Sequence, residues 1–256
     1  MQRIITTIQV RMGSQRFPGK HMCEVAGKPL LMHLLDRVRQ SKLLTGLVVA
    51  TPDTPPNDTV EEFCQSYGVP CFRGSEDDVT DRMIKALENQ NADIGAEVYG
   101  DCILTDPAIL DLCIGEFLKG GYDFVGNGLK ETFPSGTYVE VFSMQAFRKA
   151  AAGCNDLSIR EHGTYCLRLN PGGRYRIRNI EAQGSLRRSD LHLDLDYPED
   201  FEVVKAILEH FAPRSDMSTE EIITFLDAHP EIARINQNVH RRWRQCQQDI
   251  QRASTL

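Results

Sequence analysis

The sequence predicts an α/β fold with a mostly parallel sheet flanked by helices. Two patterns carry that expectation: short β-branched runs alternate with helical stretches through the first two-thirds of the chain, and a glycine- and cation-rich loop directly follows the first run. The predicted strands are Ile4–Val10, Leu47–Thr51, Val69–Arg73, Ile94–Tyr99 and Tyr122–Gly126. Pro29 opens the first helix, whose Leu30, Leu31, Leu34, Leu35 and Val38 recur at helical spacing. Further helices are expected over Thr59–Tyr67, Asp77–Gln90 and Pro107–Lys119, so that strand, crossover helix and strand repeat until about residue 126.

From residue 127 to 190 the pattern changes. Thr137–Ser143 and Arg174–Glu181 alternate like strands, with helical stretches at Met144–Ala152 and Arg160–Leu169, which reads as an insertion packed on the sheet or a dimerisation lobe. Leu191–Asp196 returns to a strand, and Pro198 starts a helix through Phe211. The first domain is therefore placed at 1–212 and a helical C-terminal extension at 213–256. The extension begins with a capping box, Ser218-Thr219-Glu220-Glu221, and a second helix is expected around His240, Arg241, Arg242, Trp243 and Arg244.

Length and composition, 256 residues with 41% apolar, suit a protein with its own core. No stretch approaches the roughly 18 uninterrupted apolar residues of a membrane span, and the N-terminus lacks a signal-peptide pattern, so a cytoplasmic enzyme is expected. The eight cysteines are scattered singly, without zinc spacing, as core residues and free thiols of a reducing compartment. A net charge of −7 argues against a general nucleic-acid binder, which needs a broad basic face. An anionic ligand must then be held by a local basic site.

That site is expected at the end of the first strand, in Gln9-Val10-Arg11-Met12-Gly13-Ser14-Gln15-Arg16-Phe17-Pro18-Gly19-Lys20. Ligands of open α/β sheets bind beyond the carboxyl ends of strands. Gly13 would let backbone N–H groups face an anion, and Arg11, Arg16 and Lys20 would supply charge to a polyphosphate. The spacing is not a Walker A loop, because Ser14 stands five before Gly19 and His21 follows Lys20. Nor is it a dinucleotide fingerprint, since Gln15 stands two after Gly13. Two aspartates also end predicted strands: Asp101, after Gly100, and Asp196, closing an alternation that sets three leucines against His192, Asp194 and Asp196. Carboxylates so placed are oxygen ligands of the kind Mg²⁺ prefers.

The run Arg11 to Lys20 resembles the R-x-x-S-x-R-[LF]-P-G-K signature of the cytidylyltransferases that activate KDO, sialic, pseudaminic and legionaminic acids. Within that group the chain is most similar to the spore-coat polysaccharide biosynthesis branch called SpsF. Further matches are Phe72-Arg73-Gly74-Ser75-Glu76-Asp77-Asp78-Val79, Asp81-Arg82, Gly100-Asp101-Cys102, Arg160-Glu161-His162, Asp196-Tyr197-Pro198-Glu199-Asp200 and His229-Pro230-Glu231-Ile232 with Ile235-Asn236, so the resemblance spans nearly the whole chain. It implies a Rossmann-like sheet of the nucleotide-diphospho-sugar transferase type, a homodimer, and transfer of CMP from CTP to a sugar acid or related small acidic acceptor for surface polysaccharide biosynthesis.

The resemblance also assigns residues. Arg11 and Lys20 join Asp101 and Asp196 as catalytic groups, the two aspartates holding Mg²⁺. Arg11, Gly13, Ser14, Arg16, Lys20, Arg73, Ser75 and Asp77 would bind the nucleotide, although Ser75 could equally cap a helix. Asp81 and Arg82 divide between the site and a helical ion pair, and Asp194 between a third ligand, an outer partner and a solvent-facing residue. Gln183 to Arg188 or Arg160-Glu161-His162 would meet the acceptor. Tyr99, and Ser135 within Phe133-Pro134-Ser135-Gly136-Thr137, depart from the relatives' pattern near that acceptor. Two other readings remain: a glycosyltransferase of similar architecture using Asp194-Leu195-Asp196 as a D-x-D, and a non-catalytic nucleotide-binding subunit.

Overall fold

The computed structural model describes residues 2–241. It is built on a seven-stranded sheet in the order β5-β4-β1-β6-β8-β7-β9, whose strands are β1 (Ile4–Gln9), β4 (Gly46–Pro52), β5 (Cys71–Gly74), β6 (Ile94–Tyr99), β7 (Phe124–Gly126), β8 (Val139–Ser143) and β9 (Ile177–Asn179). The short pair β2 (Glu24–Val25) and β3 (Lys28–Pro29) forms a separate ribbon. β1, β4, β5 and β6 are parallel, joined by α1 (Leu30–Val38), α2 (Asp58–Tyr67) and α3 (Val79–Asn89), as the alternating pattern predicts. α4 (Pro107–Leu118) follows β6, with Asp106 as its N-cap and Pro107 in its first turn.

The segment 127–190 does not stand apart from the sheet. β8 inserts antiparallel between β6 and β7, and β9 pairs with β7 at the edge, so both complete the central layer. α5 (Met144–Ala152) forms where the helical pattern predicts it, but the expected helix over 160–169 is broken into α6 (Leu157–Arg160) and α7 (Tyr165–Arg168). The break falls at Gly163, whose φ of +61° suits glycine and ends helical geometry.

Leu191–Asp196 is a second correction. It forms no sheet strand and makes one bridge, between His192 and Ser135. The alternation is real, since Leu191, Leu193 and Leu195 are buried in the main core, but the opposite face is also enclosed, with Asp194 and Asp196 buried. The reason is Gly136, where a Cβ would fall 2.4 Å from the Asp194 nitrogen, so the 133–137 loop closes directly over the segment. α8 (Pro198–Phe211) follows, then α9 (Thr219–Ala228), whose capping box has both limbs in place, and α10 (Pro230–Arg234). His240 and Arg241 are not helical; the rest of the basic helix expected there, including Trp243, lies outside the described residues. Among the described residues no helix is long and apolar enough to cross a membrane.

Candidate active site

The carboxyl ends of β1 and β6 lie side by side because Gly100 has no side chain. A Cβ there would sit 2.0 Å from the Gln9 carbonyl oxygen, so this glycine serves strand packing rather than ligand approach. The loop after β1 turns at Gly19 (φ +70°), whose amide donates to the Met12 carbonyl at 3.2 Å, while Asn57 Oδ1 accepts from the Met12 amide at 2.9 Å. Gly13 has open space around it and lacks a positive φ, so the turning role expected of it belongs to Gly19.

Lys20 opens a short 3-10 turn and points its ammonium inward. It donates to the Leu195 carbonyl, lies 3.1 Å from Asp196 Oδ1 and reaches within 3.9 Å of Asp101 Oδ2. Arg16 Nη2 meets the same Asp196 oxygen at 2.8 Å, with its guanidinium 5.1 Å from the Tyr197 ring centre. The backbone around Asp196 is held by Asp200 in the first turn of α8, whose Oδ2 accepts from the Asp196 and Tyr197 amides at 2.9 Å each. These groups open into a cleft of about 510 Å³, also lined by Arg11, Ser14 and Asp77.

Charge in the cleft is unbalanced in a way that suits an incoming cation and polyphosphate together. Burial pushes the Asp101 carboxyl up to about 6, against the opposing Lys20 ammonium and with the Asp196 and Asp194 charges adding to the rise. Burial also opposes ionisation of Asp196, but Lys20 and Arg16 hold it below the usual carboxylate range. On the facing wall Arg82 is buried, donating to Gln9 Oε1 at 3.1 Å and to the Ser75 carbonyl; burial and the nearby Arg11 charge lower it to about 10. Clustered cations of this kind favour an anion.

Several expected residues stand elsewhere. Arg73 is turned into a surface cluster with Asp53, Asp58 and Glu61 at 2.6–3.0 Å and does not line the cleft. Ser75 accepts from the Asp78 amide at 3.0 Å, a structural use, and Asp78 is the N-cap of α3. Asp81 pairs with Lys85 on the surface, whereas Arg82 belongs to the cleft. Arg160 latches Asp78 at 2.8 Å and donates to the Ala151 and Cys154 carbonyls, and Arg188 is engaged by Asp190 and Asp227, so neither lines the cleft; Glu161 and His162 do. Asp194 is buried rather than solvent-facing and lines the cleft, with Arg241 at 2.9 Å and the Ser135 hydroxyl donating to it. Sequence reasoning missed Glu97, Tyr165 and Arg168 in the cleft and gave no role to His21.

His21, next to Lys20, is buried against the Gly100 and Arg11 backbone, and burial together with the Lys20 charge lowers its pKa to about 3 despite those contacts. Because the folded value lies below the ordinary 6.5, the unfolded chain binds the extra proton between these values, and stability is lost as pH falls through that window. By pH 5 this costs about 2 kcal/mol. Urea unfolding at pH 7.5 and pH 5 should show His21→Leu losing about that much less stability than the native protein; equal losses would refute the assignment.

A family model described as cytidylyltransferase matches residues 5–223. The spore coat polysaccharide biosynthesis protein SpsF of Bacillus subtilis is 32% identical over 243 residues, covering 91% of this chain and 98% of the relative. A 3-deoxy-manno-octulosonate cytidylyltransferase of Trichlorobacter lovleyi is 34% identical over 118 residues, 45% of each chain. The solved structure of a cytidylyltransferase from Leptospira borgpetersenii superposes with a TM-score of 0.86 at 29% identity, over 94% of this chain and 100% of that one.

Proposed function

The chain belongs to the cytidylyltransferase family, and on that premise we propose that it transfers CMP from CTP to a sugar acid or related small acidic acceptor, releasing pyrophosphate for surface polysaccharide synthesis. The observation that carries the site assignment is the meeting of Arg16, Lys20, Asp101 and Asp196 in one cleft, within 2.8–3.9 Å of one another along Arg16–Asp196–Lys20–Asp101. The sugar-acid class is supported by the names of relatives, one of them an octulosonate cytidylyltransferase.

In this reading the β- and γ-phosphates lie over the loop, where Arg11, Arg16 and Lys20 neutralise the charge that grows as pyrophosphate departs. Asp101 and Asp196 fit Mg²⁺, being hard oxygen donors held together against their own repulsion, with the remaining ligands expected from phosphates and water. When bound, Mg²⁺ would polarise the reacting phosphate oxygens. The acceptor oxygen bonds to the α-phosphorus as the bond to the β-phosphate oxygen breaks, and the acceptor proton passes to water. Asp200 keeps Asp196 in register through the two amide contacts.

Glycosyl transfer through a D-x-D is disfavoured because Asp194 is committed to Arg241 and Ser135. A homodimer and a cytoplasmic location belong to the same proposal, the latter supported by the unpaired thiols among the described cysteines. A pyrophosphate-release screen of each NTP against sugar acids, phospho-acceptors and phosphonates, with and without Mg²⁺, tests the reading. Turnover is expected only with CTP, an acid and the metal; turnover with another NTP alone would reject the base assignment.

A further inference from the structure

The transfer chemistry uses the phosphate wall of the cleft and leaves the wall formed by β6, β8 and α7 without a role. Glu97 of β6 stands directly opposite Glu140 of β8, each 1% exposed. Like charges facing each other across a strand pair destabilise a sheet, and exclusion of water raises the cost. Glu140 is compensated. Arg168 Nη1 lies 3.0 Å from its Oε1 and the Thr164 hydroxyl donates to its Oε2, while the other guanidinium arm goes to the Gly128 carbonyl at 2.8 Å.

Glu97 has no cation of its own. Its Oε2 is buried without a hydrogen-bond partner, and burial together with the Glu140 charge pushes its carboxyl well above the ordinary range, against the opposing pull of Arg168 and of the Thr164 hydroxyl and amide. Two carboxyl groups therefore share one guanidinium, and without a second cation Glu97 keeps its own proton. Glu97 lines the cleft with Tyr99, Tyr138, Tyr165 and Arg168. Arg168 stacks 5.0 Å above the Tyr165 ring, so aromatic faces already receive cations in this corner.

We propose that Glu97 recognises a protonated primary amine carried by the acceptor. The ammonium would donate to Oε2 as Glu97 releases its proton to water, and would lie among the tyrosine rings; a hydroxyl in its place would make the hydrogen bond without forming the ion pair. This rests on the acceptor half of the function proposed above and narrows it to amino-bearing acids.

The test is calorimetric binding of sugar acids to protein saturated with a CTP analogue that cannot be cleaved between the α- and β-phosphates. The acids are identical except that one non-reacting hydroxyl at a time is replaced by an amine. One amine position should bind about 10- to 100-fold more tightly than its hydroxyl counterpart. Glu97→Gln, nearly isosteric, should abolish that advantage and leave binding of the hydroxyl acid unchanged. Glu140→Gln, which frees Arg168 to neutralise Glu97, should reduce it too. Absence of any amine advantage, including absence of binding altogether, overturns the inference, as does an advantage that survives Glu97→Gln. If the Glu97-dependent advantage is present but no acid yields a CMP conjugate, the transfer reading fails and this one stands. Acids that react without amine preference give the reverse outcome.

Discussion

Replacing Asp196 by asparagine should lower kcat/KM for CTP by about 100- to 1,000-fold, mostly through kcat, with the fold intact. Asparagine keeps an oxygen that can accept from Arg16 and Lys20, so the contacts at 2.8 and 3.1 Å need not collapse. What disappears is one of the two negative charges proposed, with that of Asp101, to hold the divalent ion beside the Lys20 ammonium. Asp194→Asn is the informative partner, since it lies two residues away on the same alternating run but is engaged by Arg241 and Ser135. It should affect stability more than turnover. Equal losses of kcat in the two variants, with circular dichroism showing both folded, would instead favour a metal site shared by both aspartates.

The largest loss of stability is expected from Arg241→Ala. This guanidinium is 2% exposed and bridges Asp194 at 2.9 Å to Asp200 at 2.8 Å, with Asn236 also on Asp200 at 2.8 Å. Removing one partner of a buried ion pair leaves uncompensated charge, which costs about 3–5 kcal/mol; here two carboxylates are stranded at once. In a chain of this size that corresponds to a fall in Tm of roughly 10 °C. Because Asp200 also fixes the Asp196 amide, CTP turnover should drop in step, even at temperatures where the variant remains folded. A Tm within about 2 °C of the native protein would show that the C-terminal segment does not brace the site.

The legible part of the site was the part that is contiguous in sequence or marked by a strand end. The cations of the Arg11–Lys20 loop and Asp101 reach the cleft because β1 and β6 are adjacent in the sheet, and Asp196 because the Leu195 amide donates to the Asp101 carbonyl at 2.9 Å. Residues whose role depends on what packs against them could not be read in this way. Arg73 has the right residue type on the right loop, yet three acidic neighbours from the α2 side capture it. Leu191–Asp196 has strand alternation, but a strand needs a partner ladder, and the loop at Gly136 offers only one bridge. β8 carries an ordinary strand pattern, and nothing in that pattern tells an antiparallel strand inside the sheet from one in a lobe upon it. The Glu97–Glu140 pair becomes visible only with register, because 43 residues separate two glutamates that the sheet sets face to face. Tyr165 and Arg168, three apart on α7, offered a weak helical signal that the break at Gly163 obscured.

The central claim is that an acceptor oxygen takes the α-phosphorus of CTP. Following the reaction of CTP with a sugar acid by ³¹P NMR tests it most directly. The account predicts one equivalent of pyrophosphate for each new CMP phosphodiester, with no orthophosphate and no CDP. Appearance of CDP, or turnover only when a preformed nucleotide sugar replaces CTP, would contradict it.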